Sequence, residues 1–141
     1  MDEKKIKELI KEAFIARRNA YTPYSGFNVG AALLCADGRI IHGCNIENAS
    51  YGATNCAERT AFFKAVSEGI RDFSAIAIVG GPKDEEDTVS VDAYPCGICR
   101  QVMTEFCRRD FQVIIARSES EYQSFSLDEI IPHGFYPDAL L

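Results

Sequence analysis

Phe111-Gln-Val-Ile-Ile-Ala116 and Tyr122-Gln-Ser-Phe-Ser126 are two strand-length runs separated by only five residues, Arg117 to Glu121. A parallel pair needs a crossover of roughly a dozen residues or more, so these two strands pair antiparallel. Upstream the order differs. Phe73-Ser-Ala-Ile-Ala-Ile-Val79 is another apolar run, with Gly80-Gly81-Pro82 marking its end. An acidic loop, Lys83 to Asp92, then leads to Pro95 and a helix running through Cys107 before Phe111 is reached. Strand, helix, strand in that order implies a right-handed crossover and parallel pairing. The sheet is therefore mixed.

The N-terminal half supplies two more strands. Phe27 to Cys35 reads as a strand, Asp37-Gly38 as a tight turn, and Arg39 to Gly43 as the hairpin partner. Before them, Ile6, Leu9, Ile10, Ala13 and Phe14 recur at helical spacing, with Asp2 and Glu3 at the positive end of the helix and Arg17 and Arg18 at the negative end. The turn-rich run Tyr21 to Gly26 stops that helix. Cys44 to Asn55 is polar and irregular, and a second long helix follows from about Cys56 to Glu68. Ser126-Leu-Asp-Glu129 has the form of a capping box for a short helix ended by Pro132. These elements predict one three-layer α/β/α domain over residues 1–141, with a mixed sheet of five strands.

Charge narrows the partners. The chain carries 15 Lys and Arg against 21 Asp and Glu, a net charge of −6. Nucleic-acid binders usually carry a basic stripe, so a polynucleotide partner is not expected. The longest apolar stretch, Ala75 to Val79, is far below membrane-spanning length, and the N-terminus lacks the form of a targeting segment. A cytoplasmic protein is the expectation.

Six cysteines stand at 35, 44, 56, 96, 99 and 107. A chain this rich in core residues does not need a disulfide framework, so thiols or metal ligands fit better. Cys96-x-x-Cys99 alone could serve redox or zinc chemistry. Cys56, at the start of another predicted helix, sharpens the reading: helix N-termini favour thiolate over thiol, and two helices pointing at each other could set three thiolates on one metal. Cys107 lies roughly 12 Å along the helix from Cys99 at 1.5 Å per residue and cannot share that metal. Cys35, Cys44, His42 and His133 form no recognised ligand pair. Three ligands leave an open position, the catalytic arrangement of zinc. Glu58 has two roles open to it: acid–base work beside a zinc water, or the reach-back position of a capping box with Asn55 as N-cap.

Cys56-Ala-Glu-Arg-Thr-Ala61 and Pro95-Cys-Gly-Ile-Cys-Arg-Gln101 resemble the paired zinc signatures of the cytidine deaminase family, a class with a three-cysteine ligand variant and a glutamate that is not a ligand. Pro23 to Ala32, Gly43 to Tyr51 and Pro132 to Phe135 resemble family segments as well. The resemblance implies one Zn²⁺ per chain on Cys56, Cys96 and Cys99, with Glu58 as proton shuttle. The implied reaction is hydrolytic deamination of cytidine and deoxycytidine to uridine and deoxyuridine, a step of pyrimidine salvage. It also implies that Asn45 and Glu47 bind the ribose and that Phe27 packs beside the nucleoside. Ala49 and Tyr51 would approach the substrate across a subunit boundary, and Phe135 from a neighbouring chain, in a homotetramer with shared sites. Three thiolates overcompensate a divalent zinc, and Arg59 beside Glu58 is the cation placed to draw charge from the ligand sulfurs. The alternatives are a deaminase of another aminated pyrimidine nucleoside, such as a nucleoside antibiotic, and a structural zinc-binding module, which would need a fourth protein ligand. The loop from Pro82 to Tyr94 is long for the family and leads directly into the metal helix.

Overall fold

Successive residues of a strand point to opposite faces of a sheet, and here both faces are dry. Ala31, Leu33, Ile76, Ile78, Val113 and Ile115 enter one core, while Ala32, Leu34, Ala75, Ala77, Val79, Ile114 and Ala116 enter the other. The computed structural model describes residues 1–141. Its five strands, β1 (Phe27–Cys35), β2 (Ile40–Cys44), β3 (Phe73–Pro82), β4 (Gln112–Ala116) and β5 (Tyr122–Ser126), lie in the order β2-β1-β3-β4-β5. Helix α1 (Glu3–Arg17) covers one face through Leu9, Ile10 and Ala13. Helices α2 (Ala57–Ser67) and α3 (Gly97–Phe106) cover the other through Ala61, Phe62 and Met103. The three-layer α/β/α fold with a mixed five-stranded sheet follows. β3 and β4 pair parallel, whereas β4 and β5 pair antiparallel, as do β1 with both β2 and β3. A short α4 (Leu127–Ile130) starts on the expected capping box, with Ser126 and Glu129 bonded reciprocally. No helix is long and apolar enough to cross a membrane.

Two expectations change. Gly80-Gly81-Pro82 does not end the third strand: β3 runs through Pro82, which pairs with Phe27. The glycines serve close approach instead of a turn. A Cβ at Gly80 would lie 2.7 Å from Ala93 Cβ, and one at Gly81 would lie 2.8 Å from Val89 Cγ1, so both make room for the acidic loop to fold back on the strand. The second change concerns Asn55, which is not the N-cap of α2. Cys56 takes that position in extended backbone (φ −76°, ψ 157°), and the Asn55 N–H donates to the Ile46 carbonyl at 3.0 Å. Glu58 is then one residue too early for the reach-back position, and the capping-box role falls away.

The start of α2 is seated by backbone contact. A Cβ at Gly43 of β2 would stand 2.2 Å from the Ala57 carbonyl oxygen and 2.6 Å from the Ala61 nitrogen, so the helix rests directly on the strand.

Candidate metal centre

Cys56 occupies the N-cap position of α2 and Cys96 that of α3, so both helices begin at the same corner of the molecule as the cysteine cluster. Cys96 Sγ accepts from the Cys99 N–H at 3.5 Å. Hydrophobic packing of Ala61, Phe62 and Met103 on a common core fixes the two helix starts relative to each other. As a result the ligand atoms of Cys56, Cys96 and Cys99 all lie within 4.8 Å of one another. Sulfurs about 2.3 Å from a tetrahedral zinc stand roughly 3.8 Å apart. Cys56 and Cys96 Sγ are 3.8 Å apart. The donor set therefore fits zinc in spacing and in softness.

The corner is already electrostatically prepared. A hydrogen bond from the Cys99 thiol, followed by Arg59, pushes Cys56 down to about 5 against the opposing effect of burial. Cys99 moves the opposite way, held protonated by its bond to Cys56 and by burial. Arg59 Nη2 donates to Cys56 Sγ at 3.2 Å, placing the guanidinium on a ligand sulfur as charge balance requires. Glu58, 4% exposed, is pushed up to about 7 chiefly by burial. A carboxyl poised near neutrality can both take and return a proton.

A fourth protein ligand is lacking, since the cluster comprises these three residues alone. Cys35 and Cys107 are buried in the core beyond α2 and α3, and His42 is bonded to Glu12 at 2.8 Å. Three clustered cysteine sulfurs with no fourth protein ligand, beside a buried carboxyl on an α/β/α sheet, fit a zinc site of the hydrolytic kind.

Residues 3–115 match the family described as the cytidine and deoxycytidylate deaminase zinc-binding region. The chain belongs to the cytidine deaminase family. It is 49% identical to a cytidine deaminase of Sporosarcina psychrophila, covering 96% of this chain and 94% of the relative. Identity to a cytidine deaminase of Halalkalibacterium halodurans is 54%, over 90% of this chain and 91% of the relative. The crystal structure of a cytidine deaminase from Burkholderia pseudomallei superposes with a TM-score of 0.82 at 45% identity, covering 91% of this chain and 97% of that one.

Around the metal corner the fold forms a cavity of about 360 Å³. Cys56, Glu58 and Cys96 line it from the helix starts, Phe27 and Asn45 from β1 and the residue after β2. The Asn45 amide is tied to the neighbouring strand β1: Oδ1 accepts from the Val29 N–H and Nδ2 donates to the Phe27 carbonyl, both at 2.8 Å. One amide hydrogen and one lone pair remain. Glu47 lines an adjoining cavity with Tyr24, Ser25 and Tyr51, and Thr54 faces both spaces. Its carboxylate accepts from the Tyr24 and Ser25 N–H groups and the Ser25 hydroxyl, the last of these contributing most to holding it below the usual range. Ala49 and Phe135 line neither cavity. Ala49 is exposed, and Phe135 is 58% exposed on a tail whose backbone is held by Gln101 and Thr104 donating to the Phe135 carbonyl. The wall not foreseen is Asp92-Ala93-Tyr94, which closes the metal cavity from the acidic loop. Its only sequence signal is position, immediately before Pro95 and Cys96.

Proposed function

We propose that the protein hydrolyses the 4-amino group of cytidine and deoxycytidine, releasing ammonia and leaving uridine or deoxyuridine. A single observation carries this reading: a buried carboxyl, Glu58, opens together with Cys56 and Cys96 of the three-cysteine cluster onto one cavity of nucleoside size. Cys56, Cys96 and Cys99 would hold a zinc ion, which when bound would supply a water nucleophile active at neutral pH. Glu58 accepts a proton from the attacking water and delivers it to ring nitrogen 3, which makes carbon 4 electrophilic. The carboxylate then takes the remaining proton from the hydroxyl now on carbon 4 and passes it to the amine, which leaves as ammonia as its bond to carbon 4 breaks and the 4-oxo group forms. Arg59 draws charge from the Cys56 sulfur and so offsets the excess of three thiolates. Phe27 packs against the nucleoside, while the remaining hydrogen-bonding capacity of Asn45, with Glu47, meets the sugar hydroxyls.

Ala49, Tyr51 and Phe135 act across chain boundaries in a homotetramer. The exposure of Tyr51 (75%) and Phe135 (58%) supports this, because large aromatics left in water are characteristic of surfaces that become interfaces. The ultraviolet change on converting cytidine to uridine tests the activity. Turnover that stops with a zinc chelator and returns with added zinc is the expected result, and a fully metallated protein inert toward both nucleosides would overturn it.

A further inference from the structure

The long acidic loop and the five-residue turn between β4 and β5 are bonded to each other. Arg117, the first residue of that turn, donates from Nε to Asp92 Oδ1 at 3.0 Å and from Nη2 to Asp92 Oδ2 at 3.1 Å. Its carbonyl accepts from the Val89 N–H at 2.9 Å, and Val89 is buried against Gly81. One strand further, Gln123 Oε1 accepts from the Tyr94 hydroxyl at 2.6 Å. The hairpin thus holds both ends of Asp92-Ala93-Tyr94, the segment that lines the metal cavity.

We infer that Arg117 is a positioning residue for substrate binding: by gripping both oxygens of Asp92 it fixes the loop segment 92–94 as a wall of the nucleoside cavity. It touches no reacting atom. The metal corner is anchored separately, since Arg100 Nε donates to the Pro95 carbonyl at 2.8 Å and holds the start of α3. Loosening the wall therefore leaves the ligands in place. The pair is also a poor stability element. Side-chain exposures of 38% and 26% put it in the class of surface ion pairs that contribute little to folding. Its bidentate geometry restrains a segment whose other nearby ties, the Tyr94 hydroxyl on Gln123 and the Val89 N–H on the Arg117 carbonyl, are single bonds.

The inference rests on the cytidine reading above, and the test separates the two. In the full-length zinc-loaded protein, Arg117→Gln should raise KM for cytidine about tenfold while kcat stays within about twofold. The Kd for uridine, measured by calorimetry, should rise by the same factor, with zinc content unchanged and the melting point moved by only about 2 °C. Arg117→Lys keeps the charge but not the fork and should recover part of the loss. Asp92→Asn should reproduce the effect, and the double variant should be no worse than either single one, as expected when two changes remove one interaction. Unchanged KM and Kd in both single variants would overturn the inference. So would a joint fall of kcat, zinc and melting point with the uridine Kd unmoved. A parent chain that binds uridine but leaves cytidine untouched overturns the activity reading instead, and the uridine Kd still decides the role of Arg117.

Discussion

The metal corner and the loop wall beside it enclose one cavity but are built by opposite means. In the corner, the proposed ligands, the helix N-caps and the proposed proton acceptor come from two runs of three and four residues, Cys56–Glu58 and Cys96–Cys99, and the geometry is that of helix starts. The loop that ends in the wall is held from far away in the chain. Arg17, at the end of α1 and 4% exposed, donates to the carbonyls of Gly81 (2.8 Å), Pro82 (2.7 Å) and Asn28 (2.7 Å), and also to those of Glu85 and Glu86. Arg117 holds the other end. Reactivity is thus encoded locally and access is encoded through tertiary contacts, so damage to the two regions should separate into different observables.

The strongest way to break this comparison lies in the corner. Cys56→Ala, Cys96→Ala and Cys99→Ala should each lose both zinc and turnover, while Cys107→Ala, a change in the core cluster, should keep the metal. Zinc retained in Cys56→Ala by metal analysis would refute the local encoding. Next comes Glu58→Gln, which should keep zinc and fold yet lose about 10²–10⁴-fold in turnover, because an amide cannot exchange the proton. Near-normal rates in a metallated Glu58→Gln chain would remove Glu58 from the chemistry. The smallest loss is expected at Arg17. Arg17→Gln strands several buried carbonyls and should cost about 3 kcal/mol of stability, with zinc retained by the folded fraction. Arg17→Lys should restore little, since a single ammonium cannot span five acceptors in a planar fork. Denaturant curves for Arg17→Gln that overlay the parent would show that the loop needs no such tether.

Sequence pattern reached the corner more fully than the wall for the same reason. Helix-terminal cysteines announce themselves through spacing, and the bounds of the Phe27–Cys35 and Tyr122–Ser126 strands follow from turn residues and alternation. The short connection between the last two strands dictated their antiparallel pairing. Other features depend on contacts made after the chain folds. Arg17 looked like a favourable charge at a helix end, and only the packed loop reveals the carbonyls it meets. Gly80 and Gly81 read as punctuation because a turn glycine and a close-approach glycine look alike in one dimension. Asn55 has the composition of an N-cap, but its backbone bridge to Ile46 takes it out of the helix and hands the cap to Cys56.

That handover makes Gly43 matter to the metal. The first turn of α2 rests main chain to main chain on β2, with the Ala57 carbonyl only 2.2 Å from where a Cβ at position 43 would lie. Even a methyl group there must lift the helix, and lifting it carries Cys56 away from Cys96 and Cys99. A residue with no functional group and no contact with zinc is therefore a determinant of zinc affinity.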